Sequence, residues 1–443
     1  MAEQNLKRSM GLTTGISIVV GTIIGSGIFF KQAQVLSITG STTGALLAWL
    51  FGGLITLMAG LTISELGSRI PSTGGLYVYI HKIFGPAAGF LSGWGQSFLY
   101  GPAIVASLSA YFAILITNFF YLPSEWAKWI GLLAIVFITG MNLLDNRIPA
   151  AFAVATTSIK LLPIAAIIIF GLFFGNVNAI GQTLDTITAT PGGGFGVAIL
   201  ATLYAYDGWA TLTSLGGELK NPSKNIPRAI IYGLFIVIIA YVGISYGVMQ
   251  SMPAAEIIAL DDNATFGVVT AAFGDLGGRL LSLAILISIA GTLNGKMMAL
   301  PRSIYAMAAD GMMPKFMMYI NRSQEPAGAI ITLAVLGSLL QFSASADWLS
   351  NACMFIIWMF YLMSFYGLIR LRRADKLAGK GTPDNVFLVP LYPVVPMLAI
   401  MGALYVLLST LINDPLSAMV SIGLVLTGLP IYFYYAKRLK TGI

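Results

Sequence analysis

Residues 21–30 read GTIIGSGIFF, with glycines at 21, 25 and 27 inside a run that carries no charge between Gly11 and Lys31. A glycine in a helix interior costs about 1 kcal/mol relative to alanine, and a chain in lipid must satisfy every backbone N–H and C=O internally. Such a stretch in an apolar segment has two readings. It is a packing surface, where small residues let membrane helices approach closely, or it is a break built into a span. The rest of the sequence decides between them.

Hydrophobic residues make up 57% of the 443 and charged residues only 9%, with a mean hydropathy of +0.85. A soluble domain carries about 25% charged residues, so this is a multi-span protein whose main surroundings are a lipid bilayer. The net charge of +7 does not cluster on one segment. The positives lie between apolar runs, where topology signals lie, so no nucleic-acid partner is expected. Cys353 is the single cysteine and His81 the single histidine. That excludes an intramolecular disulfide, cysteine metal sites, and triads or zinc sites built on several histidines. No metal and no cofactor is expected. Lys7 and Arg8 precede an apolar run without a small-residue cleavage site, which predicts an uncleaved first span rather than a signal peptide.

Twelve apolar runs approach the about 20 residues needed to cross a hydrocarbon core of ~30 Å. They fall near 12–38, 43–67, 86–120, 126–145, 148–175, 194–217, 228–251, 277–306, 327–343, 347–370, 388–412 and 415–436. Between the second and third, residues 70–86 are glycine-rich and amphipathic, too short to span, and expected at the interface. Residues 251–278 form the longest loop on the side poor in lysine and arginine. Nineteen lysines and arginines, from Lys7 through Arg69, Arg302 and Lys380 to Lys440, fall on one side of this layout. Lys128 and Arg279 fall on the other, with acids such as Asp185 and Asp414. The positive-inside rule then puts both termini in the cytoplasm of a cell-membrane protein.

The sixth run reads LATLYAYDGWATLTSLGGEL (200–219), with Asp207 beside Gly208 in mid-span. A charge there is expensive unless it faces protein or water. Interrupted spans at matching places of two halves mark the binding site of transporters built from inverted repeats. The first and sixth runs are so placed, giving repeats over 12–175 and 194–370 with 388–436 outside them. At a break, N–H groups attract a carboxylate and the preceding carbonyls attract a cation. An α-amino acid offers both charges ~2–3 Å apart.

Gly21–Phe30 followed by AYDGW (205–209) resembles the amino acid–polyamine–organocation superfamily, and within it the L-type amino acid transporter branch with its bacterial serine/threonine and alanine/serine/cysteine exchangers. GGLYVYI (74–80), SIKLLPIAAIIIFG (158–171), GGELKNPSKNIPRAI (216–230), GTLNGKMMALPRSIYAMAADGMMP (291–314) and VPLYPVVPMLAI (389–400) match in the family's order along nearly the whole chain. The resemblance implies an all-α integral membrane protein with twelve transmembrane helices, a LeuT-type five-plus-five inverted repeat and discontinuous helices 1 and 6. It implies a carboxylate-binding turn at Gly25, Ser26 and Gly27, amine-binding carbonyls at Thr22, Ile23, Tyr204, Ala205 and Asp207, and an aromatic gate at Tyr204. It also implies that Lys160 stands where sodium-coupled relatives hold a metal ion, accepted by the Gly21 carbonyl and the hydroxyls of Ser288 or Thr292.

Several readings stay open on the residues alone. Lys160 is either an internal cation or a lysine snorkelling to the surface. Asp207 either lines the site or is paired structurally with a group of span 10 or span 1. Lys296, on one helix face with Ser288 and Thr292, faces the transport pathway or snorkels. A fixed cation suits sodium-independent exchange of small neutral amino acids such as serine, threonine and alanine; a lysine that releases its proton would instead support proton-coupled uptake. An integral-membrane enzyme is the alternative of another class, and neither paired intramembrane carboxylates nor HExxH occurs to support it. Eukaryotic relatives join an ancillary glycoprotein through a cysteine after span 3; FYLPSEW (120–126) has none, so no disulfide-linked subunit is expected there.

Overall fold

The computed structural model describes residues 8–177, 181, 183, 195–343, 346–379, 385–413 and 415–441. Lys7, Asp185, Lys380 and Asp414, and the side chain of Cys353, lie outside that description. The described chain is helical, with only three isolated β-bridges between segments. In order the helices are α1 (Leu12–Ile23), α2 (Gly27–Phe30), α3 (Gln32–Thr39), α4 (Thr42–Arg69), α5 (Leu76–Phe84), α6 (Pro86–Trp94), α7 (Gly101–Phe119), α8 (Ala127–Asn142) and α9 (Arg147–Phe173). They continue as α10 (Phe195–Ala205), α11 (Pro222–Ser251), α12 (Ala254–Leu260), α13 (Ala264–Ala309), α14 (Ala327–Ser343), α15 (Ala346–Leu377), α16 (Val394–Asn413), α17 (Pro415–Leu426) and α18 (Gly428–Thr441).

Ten helices among the described residues are long and apolar enough to cross a membrane. Two of the twelve expected runs fall short. The run at 194–217 stops being α-helix at Ala205, and α14 has 17 residues. The run at 12–38 is three helices, because the chain leaves helical geometry at Ile24 (ψ 87°) and restarts at Gly27. Residues 70–86 contain α5, whose Leu76–Ile80 stretch is covered by protein rather than lying free on an interface. The stretch 251–278 is largely helical, formed by α12 and the start of α13, which bends at Gly274 (φ 70°). Arg302, counted above as a loop charge, lies inside α13 and is 1% exposed.

The apolar residues that face outward, such as Leu133, Phe137, Leu162, Ile239 and Leu283, are exposed along α8, α9, α11 and α13. A bundle solvated by lipid has no reason to bury them. What it does bury is unusual. Lys160, Lys296, Arg302, Glu65, Glu218 and Glu325 are all nearly inaccessible, and each such charge needs a partner.

Candidate functional site

The two breaks face each other at contact distance. A Cβ on Gly27 would stand 2.9 Å from the Ala205 Cα, and one on Gly208 2.5 Å from the Thr22 carbonyl oxygen. Gly208 also has φ 126°, a conformation open to glycine and rarely to any other residue. The Thr22 hydroxyl reaches both its own helix, at Ile18 O (2.7 Å), and the second break, at Gly208 O (3.1 Å). Glycines at both breaks thus permit the close approach of α2 to the end of α10 and of α1 to the turn that follows α10.

Beyond α1, Gly25 N donates back to Ile23 O at 2.8 Å. The N–H groups of Ser26 and Gly27 make no backbone hydrogen bond among the described residues, and Ser26 is buried. On the other side of the break, three carbonyls converge on one ammonium. Lys160 Nζ, from the middle of α9, donates to Ile24 O (2.6 Å), Gly21 O (2.9 Å) and Ser288 O (3.1 Å), with Thr292 Oγ1 at 3.4 Å. Lys160 is 0% exposed, so it does not snorkel. Gly21 accepts as expected. Ser288 differs: it offers its carbonyl, while its hydroxyl donates to Ile24 O at 2.9 Å. Thr292 Oγ1 lies 2.9 Å from Gly21 O and 3.1 Å from Ile24 O, so α9, the α1 break and α13 are knotted at one point.

The expected amine-binding carbonyls are in part already engaged. Tyr241 OH, from α11, lies 3.1 Å from Ile23 O and 3.0 Å from Ala205 O. A ligand ammonium at those two carbonyls would share them with this hydroxyl. Tyr204 O accepts from Asp207 N at 3.2 Å. The Tyr204 ring is half-buried, with Lys31 Nζ 5.9 Å from its centroid.

Asp207 and Lys296 resolve each other. Lys296 Nζ lies 3.1 Å from Asp207 Oδ2 and 2.5 Å from Tyr100 OH, and Tyr100 OH lies 2.7 Å from the same carboxylate oxygen. Tyr361 OH, on α15, approaches Asp207 Oδ1 at 3.5 Å. Asp207 is therefore paired with Lys296 of α13, and the tenth run also reaches it through Tyr361; Lys296 is 1% exposed rather than snorkelling. Tyr100 ends a π-helical turn, Gly95–Tyr100, between α6 and α7; such turns recur at functional positions.

At the far end of α13 a third group closes the bundle. Arg302 holds Glu218 through Nε (2.7 Å) and Nη2 (2.9 Å) and Glu325 through Nη2 (2.6 Å), while Asn146 Nδ2 donates to Glu218 at 2.6 Å. Burial lifts the Glu325 carboxyl to about 7, against the pull of Arg302. Met10 N donates to Glu218 O and Lys220 N to Met10 O, tying the chain before α1 to the chain after the second break. Glu65 is likewise bound by Arg69 and Arg372. The cavity beside Glu218 and Glu325 holds about 20 Å³, whereas two cavities of about 310 Å³ flank Phe30 and Lys31 at the opposite end.

Sequence reasoning missed Ile24, Tyr100, Tyr241, Tyr361, Glu218 and Glu325. Arg302 carried a usable signal, a charge inside an apolar run.

Comparison with known proteins agrees with this architecture. Residues 10–434 match the family model described as amino acid permease. The chain is 42% identical over 439 residues to the serine/threonine exchanger SteT of Bacillus subtilis (strain 168), covering 98% of each chain. It is 32% identical to the human cystine/glutamate transporter, over 97% of this chain and 85% of that one. To the mouse b(0,+)-type amino acid transporter 1 it is 30% identical, over 97% of this chain and 88% of that one. These are transporters, and the membrane-enzyme alternative falls away: the chain belongs to the amino acid permease family.

Proposed function

We propose that this protein is a sodium-independent exchanger of small neutral L-amino acids, with serine, threonine and alanine as substrates, working by alternating access. The observation that carries the reading is the Lys160 ammonium, held by the Gly21, Ile24 and Ser288 carbonyls between the α1 break and α13. A built-in cation at that junction leaves no call for a sodium ion. The name of the Bacillus subtilis relative supports the substrate class.

On this reading the protein has twelve membrane-crossing segments in a LeuT-type fold. One repeat covers 12–175, the second 194–370, and 388–436 lies outside them. Both termini are cytoplasmic, so the Arg302 end faces the cytoplasm and the Lys31 end faces outward. Ser26 and Gly27 present free N–H groups to the substrate carboxylate. The carbonyls of Thr22, Ile23, Tyr204, Ala205 and Asp207 surround its ammonium, and Tyr241 yields Ile23 O and Ala205 O as the ligand enters. The Asp207–Lys296–Tyr100 group borders the substrate side chain, where an ion pair that can exchange partners favours small, polar substrates over large apolar ones. No disulfide-linked subunit attaches at 120–126.

Proton-coupled uptake is the second reading, favoured by the absence of any carboxylate paired with Lys160 among the described residues. Uptake of radiolabelled serine into liposomes separates the two. Exchange requires internal amino acid and ignores sodium and proton gradients. Uptake into empty vesicles driven by a pH gradient would replace it with symport, and no serine uptake under either condition would sink the substrate assignment.

A further inference from the structure

Beyond α2, Lys31 and Arg279 each line a cavity. Lys31 follows the last residue of α2, its N–H bonded to Gly27 O at 3.0 Å, one turn beyond the turn that meets Ala205. Its ammonium stands over the Tyr204 ring, and its half-buried side chain lines a cavity of about 310 Å³ with Gln34, Tyr204, Trp358, Ser409 and Thr410. The neighbouring cavity of about 310 Å³, on the Phe29 and Phe30 side, includes Arg279. Among the described residues neither lining contains an aspartate or glutamate, and Lys31 has no ion-pair partner.

We propose that Lys31 is a specificity-determining residue, a fixed cation at the mouth of the site that turns away amino acids with cationic side chains. The proposal rests on the reading of the protein as an amino acid exchanger whose site lies between the breaks. Clefts lined by one sign of charge focus that field, and charges act on each other within about 8 Å at physiological salt. A zwitterion with a neutral side chain passes with no net repulsion and has its carboxylate drawn toward α2. A lysine or arginine substrate brings a second cation to the Tyr204 face, which Lys31 already occupies. Arg279 adds to the same field from the other side.

The test is competition against radiolabelled serine, with the full chain in serine-loaded liposomes. Arginine, threonine and glutamate compete in the wild type and in Lys31→Gln and Lys31→Glu. The strength of arginine relative to threonine should rise on the order of tenfold in Lys31→Glu and by less in Lys31→Gln, while glutamate moves the opposite way. In the wild type the same ratio should rise with added salt, so a variant that fails to fold does not protect the idea. A ratio flat in Lys31→Gln, or flat with salt in the wild type, overturns it. If the wild type carries no serine, the exchanger assignment fails separately, and the ratio is read against whichever neutral amino acid it does carry.

Discussion

Lys160 and Lys296 lie in the interior of the same bundle, 0% and 1% exposed, yet their ammonium groups meet opposite chemistry. Lys160 is held by three backbone carbonyls and a distant hydroxyl, all neutral. Lys296 meets a carboxylate and a phenol that share one oxygen-centred junction. The first arrangement leaves one positive charge uncancelled beside the turn proposed to receive the substrate carboxylate. It exists because the broken end of α1 frees carbonyls that an intact helix would have consumed. The second arrangement is an ion pair, which holds two elements together but can be dissolved by a competing partner. A broken helix can therefore act as a ligand set for a fixed cation, while an ion pair across two spans suits a contact that is made and released.

The comparison can be broken at the second site first. Asp207→Asn leaves the Lys296 ammonium buried with only phenol and amide, and losing one member of a buried pair costs about 3–5 kcal/mol. The variant should lose most folded protein or most of its thermal stability in detergent. Asp207→Asn combined with Lys296→Met should recover much of that loss, because the unpaired charge is gone, while shifting preference toward apolar amino acids. Recovery absent in thermal melts of the double variant would mean that the pair is not the unit.

At the first site, Gly21→Ala puts a Cβ 2.6 Å from the Thr157 hydroxyl, which itself bonds Ser17 O at 3.0 Å. Overpacking of this kind costs about 1–3 kcal/mol and pushes the Gly21 carbonyl away from Lys160. Slowed exchange with a lowered melting temperature is expected. Thr292→Val removes one neutral donor from the knot and should cost about 1 kcal/mol, visible as a modest fall in exchange rate.

The mildest effect concerns Arg302, which follows the Lys296 pattern with two carboxylates. One arginine cannot balance two anions, and Glu325 titrates at about 7 against an ordinary value of about 4.3. Between those values the folded protein keeps a proton that the unfolded chain releases. Its contribution to stability is full below the lower value and is lost as pH rises through the upper one. Glu325→Gln removes that slope, so the variant should gain on the wild type by about 2 °C between pH 5 and pH 8. Melting curves at the two pH values check it.

The outline of this protein was legible because its anomalies are local. Three glycines in an apolar run and an aspartate beside a glycine mark both breaks, and Lys160 is a charge isolated in mid-span. Partners were legible only in part. The family resemblance implied Gly21 as an acceptor for Lys160, but the roles of Ile24 O and of the Ser288 carbonyl depend on how far helix α1 unwinds and how α13 is rotated. Tyr100, Tyr241 and Tyr361 look like any aromatic in an apolar helix until the fold points their hydroxyls inward. Arg302 was read only as a topology signal, because its two acids lie 84 and 23 residues away and only the fold brings them to it.

The central claim is that Lys160 is a fixed cation joining the α1 break to α13 and required for the break to move. The direct measurement is serine exchange by Lys160→Ala in liposomes beside serine binding by the same preparation. The account predicts exchange abolished or slowed by orders of magnitude, with binding altered far less. Exchange at the wild-type rate would contradict it.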